Sequence, residues 1–347
     1  MNWIERSLAA NFPAPPLEHG GGLDAARRLY PLAPRPWIDL STGVSPLTYP
    51  LPDIPPEAWT RLPDAEALEI AEAAAARAYG APASIESIAG AGSQAFIRLI
   101  PWIFVAQRVS VLGFTYAEHA AAWRVTGARV ETAASLADLA EAEVAVVVNP
   151  NNPDGRRVPP GALLRLGRSM AARGGLLIVD EAFVDHTPDA SLVPLLAEDD
   201  RIVVLRSFGK AYGLPGLRLG FALCGAPLAE RLRAAQGPWS VSGPALALAA
   251  AAFHDLEWFE ASRAYAQEAA LRLDEMLLAA GFTLVGGTSL FRLVETDAPR
   301  SWHERLCRAG ILTRRFSERP RWLRFGLPGD REEWARLGEA LDPATYV

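Results

Sequence analysis

Between residues 87 and 223 the chain alternates short apolar runs with longer helical patterns, and this alternation leaves few architectures open. The runs are Ser87–Ala89, Val109–Leu112, Arg129–Glu131, Val144–Val148, Leu176–Val179, Ile202–Leu205 and Leu219–Leu223. Seven strands separated mostly by helices predict an α/β layered domain with a largely parallel sheet. Before them, Asp64 to Tyr79 reads as an Ala- and Glu-rich helix closed by Gly80. From about residue 245 the chain is mostly helical (Ala245–Phe253, Trp258–Ala280), with two or three strands near Leu290–Leu293 and Trp322–Phe325. That predicts a second, smaller α+β domain, completed by the N-terminal segment. Residues 1–45, rich in Pro and Gly, read as extended rather than helical. The expected division is a large domain over 46–244 and a small one made of 1–45 and 245–347.

Composition excludes several classes. The net charge of −6 suggests neither a nucleic-acid nor a membrane partner. The start, Met1-Asn-Trp-Ile-Glu-Arg, lacks a basic stretch followed by an apolar run, so no signal peptide is expected. Apolar stretches such as Val144–Val148 are far too short to span a bilayer. Two cysteines, Cys224 and Cys307, without neighbours at metal spacing fit a cytoplasmic protein with reduced thiols. The five histidines (19, 119, 186, 254, 303) are scattered, and no metal is expected.

Of the 34 Lys plus Arg residues, Lys210 is the single lysine, which leaves 33 arginines. A GC-rich coding bias accounts for arginine wherever only a positive charge is needed, and so makes the exception informative. A guanidinium cannot form a Schiff base with an aldehyde; an amine can.

The segments that follow the runs carry the chemistry, because ligands of such sheets sit at the carboxyl ends of strands. After the first run, Gly90-Ala91-Gly92-Ser93-Gln94 opens a helix, the form of a phosphate site or of a plain helix cap. Phe114-Thr115-Tyr116 offers an aromatic that either stacks on a flat ring or packs in the core. Asn149-Pro150-Asn151-Asn152-Pro153-Asp154-Gly155 suits a tight turn, yet a turn does not need three asparagines. The fifth run ends in Asp180-Glu181, and a carboxylate there is costly unless it faces a cation or a metal. Ser207-Phe-Gly-Lys210-Ala211 is not a P-loop, since Ala211 stands where Ser or Thr is needed and Leu205 where a Gly is needed.

Jointly, Asn-Asn-Pro-x-Gly, Asp-Glu-Ala-aromatic and Ser-x-x-Lys-x-x-Gly-Leu-x-x-x-Arg resemble the fold-type I pyridoxal-phosphate (PLP) enzymes of the class I/II aminotransferase family, over about residues 39–328. The resemblance implies an aspartate-aminotransferase-like fold, PLP as cofactor and a homodimer with sites at the interface. It implies that Lys210 carries the cofactor and shuttles protons, and that Asp180 pairs with the pyridine nitrogen. Asn152 would bond the ring oxygen, and Tyr116 would stack on the ring. Ser93, Gln94, Ser207 and Arg218 would hold the cofactor phosphate. Arg324, in Trp322-Leu-Arg-Phe-Gly, would grip the substrate carboxylate by a bidentate fork.

Two branches of the family are similar. One comprises histidinol-phosphate aminotransferases. The other decarboxylates L-threonine O-3-phosphate to (R)-1-aminopropan-2-yl phosphate in cobalamin biosynthesis. His19-Gly20-Gly21, the Asp39-Leu-Ser41…Ser45-Pro46 segment, and Phe183 where aminotransferases usually carry Tyr resemble the decarboxylases. Leu62 departs from both, standing where a Tyr often reaches a phosphate across the dimer interface. A phosphorylated amino-acid substrate needs a second cationic cradle; the candidates are His19 with Gly20, Arg156 or Arg157, and Arg314 or Arg315. A regulator that binds PLP without turnover is the non-enzyme alternative.

Overall fold

The computed structural model describes residues 19–342. The reading of Met1 to Glu18, including the expected absence of a signal peptide, and the last five residues of the small-domain segment lie outside the described residues.

A short strand, β1 (Ile38–Leu40), precedes seven that form the large sheet. These are β2 (Ile85–Gly90), β3 (Arg108–Leu112), β4 (Arg129–Ala133), β5 (Val144–Val148), β6 (Leu176–Asp180), β7 (Ile202–Ser207) and β8 (Gly220–Gly225). Their order is β2-β8-β7-β6-β5-β3-β4, and only β8 runs against its neighbours. Every residue of β5 and β6 is buried, which explains their unbroken apolar runs: helices cover both faces, so no face alternates to polar. The preceding helix, Ala65–Ala78, starts where Asp64 accepts the Ala67 amide at 2.9 Å and ends at Gly80, whose φ of +68° favours glycine.

The second sheet has five strands in the order β1-β11-β12-β10-β9, with β9 (Thr283–Thr288), β10 (Phe291–Glu295), β11 (Ile311–Arg315) and β12 (Trp322–Gly326). β1 pairs in parallel with β11, which places Ile38–Leu40 at one edge of this sheet. Two of its strands are absent from the sequence reading. β9 carries Gly286-Gly287, and β11 ends in Thr-Arg-Arg, so neither shows a run of apolar residues. The N-terminal segment is not extended throughout, because Leu23–Leu29 is helical, with Asp24 in its first turn and Arg27 and Arg28 in its last.

The helix Gly243–His254 buries Ala245, Leu246, Leu248 and Phe253 in the core of the large sheet. The next helix, Leu256–Ala279, packs its later residues, such as Leu273 and Leu277, into the core of the small sheet. We propose that the domain boundary falls after His254 rather than at 245, because burial, not helicity, decides which core a helix belongs to. Among the described residues no helix is long and apolar enough to cross a membrane.

Candidate active site

A cavity of about 440 Å³ opens at the carboxyl ends of β5, β6 and β7. Ser93, Gln94, Tyr116, Asn152 and Asp180 line one part of it; Ser207, Lys210 and Arg218 follow β7 into another. His19, Gly20 and Arg324 close it from the side of the small sheet. Arg314 lines an adjoining cleft of about 130 Å³ that shares His19, Asn152 and Arg324 with the main cavity. The structure does not bring Arg156 there. Its side chain lies along the end of β3, donating to the Leu112 carbonyl at 3.2 Å, and both Arg156 and Arg157 are exposed. Arg315 is exposed at the end of β11.

Lys210 sits in the single helical turn Phe208–Ala211 after β7. Burial, and secondarily the positive charges of Arg324 and Arg218, lower its pKa to about 8, against the opposing pull of Asp180. Its amine is therefore far closer to the neutral, nucleophilic form at neutral pH than an ordinary lysine. Its Nζ lies 5.4 Å from the centre of the Phe183 ring.

Asp180 ends β6 and is 3% exposed. One carboxylate oxygen accepts the Ala182 amide at 3.0 Å, and the other is 2.8 Å from His119 Nε2. His119, 2% exposed, is one of five histidines scattered along the sequence, and no motif singles it out. The signal that could have found it is its position three residues beyond Tyr116 at the start of the helix Ala117–Val125, which puts both on one face.

The three asparagines after β5 have different roles. Asn149 braces the turn by bonding the Val158 amide (2.8 Å) and carbonyl (3.1 Å). Asn151 donates to the Phe114 carbonyl at 3.0 Å and accepts from Thr115 at 2.6 Å. Only Asn152 reaches the cavity, where its Oδ1 accepts from Arg324 at 2.5 Å. The other terminal nitrogen of Arg324 donates to the Ser41 carbonyl at 2.8 Å, and its Nε is buried without a partner. Burial and then the charge of Arg314 lower the Arg324 pKa to about 9. The guanidinium is still charged at neutral pH and is short of negative charge, as a seat for a carboxylate should be.

The opposite end of the cavity is shaped for an anion. The helix Ser93–Ile103 begins after Gly92, whose φ is +80°. A Cβ at Gly92 would come within 2.5 Å of the Arg218 guanidinium, and one at Gly220 within 2.3 Å of the Ser93 amide nitrogen. Glycine at both places lets helix N–H groups and Arg218 converge. Arg218 holds a left-handed backbone (φ 55°, ψ 57°), a conformation uncommon outside glycine. Gln94 is engaged elsewhere: its Oε1 accepts from the Tyr116 hydroxyl at 3.2 Å and its Nε2 donates to Glu118 at 2.7 Å. Burial pushes the Tyr116 hydroxyl up to about 12, so it stays a donor. Leu62 is 66% exposed and lines a separate surface hollow with Arg61 and Ile70.

This arrangement brings together a half-buried amine, a carboxylate bonded to a histidine, a glycine-lined helix start beside Arg218, and the buried guanidinium of Arg324. The chain belongs to the class I and II aminotransferase family, whose profile matches residues 57–341. It is 44% identical to the threonine-phosphate decarboxylase of Pseudomonas aeruginosa over 94% of this chain and 97% of that protein. It is 41% identical to the threonine-phosphate decarboxylase of a Sinorhizobium species, over 94% of this chain and 98% of that one. Its fold is similar to that of the histidinol-phosphate aminotransferase of Sinorhizobium meliloti in complex with pyridoxal-5'-phosphate, with a TM-score of 0.79 at 21% identity, covering 96% and 98% of the two chains.

Proposed function

We propose that this protein is a PLP-dependent carboxy-lyase that converts L-threonine O-3-phosphate to (R)-1-aminopropan-2-yl phosphate and carbon dioxide, a step of cobalamin biosynthesis. The observation that carries this reading is the near full-length similarity to two threonine-phosphate decarboxylases, in a chain whose single lysine, half-buried, lines the cavity.

The residues fit PLP. A half-buried amine shares the cavity with Asp180, and the glycine-lined helix start with Arg218 suits the phosphate of PLP. Lys210 would hold the aldehyde carbon, Asp180 the pyridine nitrogen, Asn152 the ring oxygen, and Tyr116 the ring face. Ser93, Ser207 and Arg218 would hold the phosphate. Gln94 supports this cup indirectly, since its amide is committed to Tyr116 and Glu118. When bound, the cofactor supplies a conjugated electron sink for a bond broken at the substrate α-carbon.

The protein's own groups do the rest. Arg324, with its terminal nitrogens set by Asn152 and Ser41, takes the substrate carboxylate. His19, Gly20 and Arg314, bordering the adjoining cleft, receive the side-chain phosphate. The carbon–carbon bond to the carboxylate breaks and carbon dioxide leaves. Lys210 then delivers a proton from Nζ to the α-carbon, a role suited to an amine that titrates near 8. Phe183 presents no hydroxyl to the cavity at the position where aminotransferases usually carry one.

The same reading implies a homodimer. Trp59, Leu62 and Ile70 are 67%, 66% and 49% exposed along one segment, an apolar surface suited to a second copy. It also places the protein in the cytoplasm, in keeping with two free, buried cysteines.

The test is incubation of the PLP-loaded protein with L-threonine O-3-phosphate, with carbon dioxide and aminopropanol phosphate as readouts. A parallel reaction contains histidinol phosphate and 2-oxoglutarate. Carbon dioxide release that vanishes in Lys210→Ala is expected. Glutamate formation in the second reaction, with no carbon dioxide in the first, would overturn the assignment in favour of the aminotransferase.

A further inference from the structure

Glu118 is an unexpected occupant of a cavity built for anions. It lines that cavity, is 4% exposed, and sits among alanines on the helix Ala117–Val125. A buried carboxylate is costly unless its oxygens are bonded and its charge is met. Both conditions hold. Oε1 lies 2.9 Å from His19 Nε2; Oε2 accepts from Gln94 at 2.7 Å and from the Arg98 guanidinium.

Two chains of contact leave this carboxylate. Through Gln94 it reaches the Tyr116 hydroxyl at 3.2 Å. Through His19 it reaches the segment His19-Gly20-Gly21, which is tied at its far end to the small sheet. There the Gly21 amide donates to Ser41 Oγ at 2.7 Å, and Ser41 Oγ donates to Asp39 at 2.5 Å. Gly20 lies so close to the Ser41 carbonyl that a Cβ would come within 2.3 Å of it. That same carbonyl accepts from Arg324. The segment is thus a strap across the cavity mouth, fixed to Glu118 on one side and to the Ser41–Arg324 unit on the other. Partnering Arg98 alone does not explain the burial, because the Arg98 side chain is 47% exposed and an exposed carboxylate would serve it equally.

We propose that Glu118 is a positioning residue that docks the His19–Gly21 strap and, through Gln94, orients Tyr116. One carboxylate then holds both the substrate-side seat and the aromatic wall. The kinetic part rests on the reading of His19 as a substrate contact; the structural part does not.

The test uses the PLP-loaded enzyme and the variants Glu118→Ala, His19→Ala, Arg98→Ala and the double Glu118→Ala/His19→Ala. Hydrogen exchange without substrate is the first readout. Exchange at the Gly20 and Gly21 amides should be roughly tenfold faster in Glu118→Ala, the scale of losing one hydrogen bond to a charged group, with Val144–Val148 unchanged. Turnover is the second. KM for L-threonine O-3-phosphate should rise roughly tenfold in Glu118→Ala, with kcat within about threefold of wild type. The double variant should be no worse than the weaker single, and Arg98→Ala should stay within about twofold of wild type. Unchanged strap exchange, multiplying effects in the double variant, or an Arg98→Ala variant that matches Glu118→Ala would each overturn the proposal. A wild-type enzyme that releases no carbon dioxide defeats the decarboxylase reading instead, and the exchange result still decides the docking.

Discussion

Asp180 and Glu181 are consecutive, 3% and 0% exposed, and both stand where the apolar strand β6 runs out, yet they face different surroundings. Alternation along an extended chain sends one side chain to the cavity and the next to the rear of the sheet. Asp180 meets His119 and the open cavity. Glu181 meets Ser191 Oγ at 2.7 Å, the Leu192 amide at 2.6 Å and Arg206 at 3.3 Å. Arg206 also pairs with Asp185 and lies 3.9 Å from the centre of the Tyr79 ring. Burial of a carboxylate is therefore not by itself a mark of chemistry. What separates the two is that Glu181 is enclosed by fixed donors, whereas Asp180 borders a space that another molecule can enter.

Exchanging each for alanine should separate the two roles. Asp180→Ala is expected to lower kcat/KM roughly 10²–10³-fold, the scale of removing a preorganised electrostatic partner, with a smaller effect on the urea midpoint. Glu181→Ala should leave the folded enzyme's kcat/KM within a few-fold. It should destabilise the protein by about 3–5 kcal/mol, because the charge of Arg206 loses a buried partner. Carbon dioxide release and urea unfolding of both variants provide the check. A large kcat/KM loss in folded Glu181→Ala would break the comparison.

The rear cluster also titrates. It sets one guanidinium against two carboxylates, and burial raises Glu181 from the ordinary 4.5 to about 6, with Arg206 pulling the other way. A carboxyl whose folded value lies above its unfolded value favours folding in the protonated form. Its contribution is full below about 4.5 and is lost as pH rises through about 6. Glu181→Gln should remove that slope, so that the stability difference between wild type and variant changes across pH 4.5–6 and is level above it. Urea midpoints at several pH values would show this, and an identical pH profile in the two proteins would count against the raised value.

The large sheet and the lysine were legible in the sequence for a physical reason. Strands covered on both faces must be apolar throughout, and Val144–Val148 announces that without ambiguity. A single lysine among arginines is equally plain. The small sheet was harder to read, since β9 is interrupted by Gly286-Gly287 and β11 ends in two arginines. Motifs pointed to Asp180, Asn152 and Arg324, which line the cavity, because each sits in a characteristic string. They could not locate His119 or Glu118, whose importance comes from partners 61 and 99 residues away, Asp180 and His19. Arg156 shows the converse: it adjoins the Asn152 turn in sequence and is a candidate ligand there, but its side chain bonds the Leu112 carbonyl at the end of β3.

The arginines provide the finest version of the same contrast, because charge alone does not distinguish them. Arg314 borders the cleft next to Arg324 and is close enough to depress that residue's pKa, whereas Arg156 is exposed along the end of β3. A phosphate entering the cleft would relieve the repulsion between Arg314 and Arg324, so substrate binding should depend on Arg314. Replacing Arg314 by Ala is expected to raise KM for L-threonine O-3-phosphate roughly tenfold, the loss of one charge-assisted contact. Replacing Arg156 by Ala should change it less than about twofold, as for most exposed arginines. Steady-state kinetics on the two variants decides the matter. Equal effects would mean that the second phosphate seat lies nearer the end of β3 than the cleft, and that the side-chain direction of Arg156 changes when substrate binds.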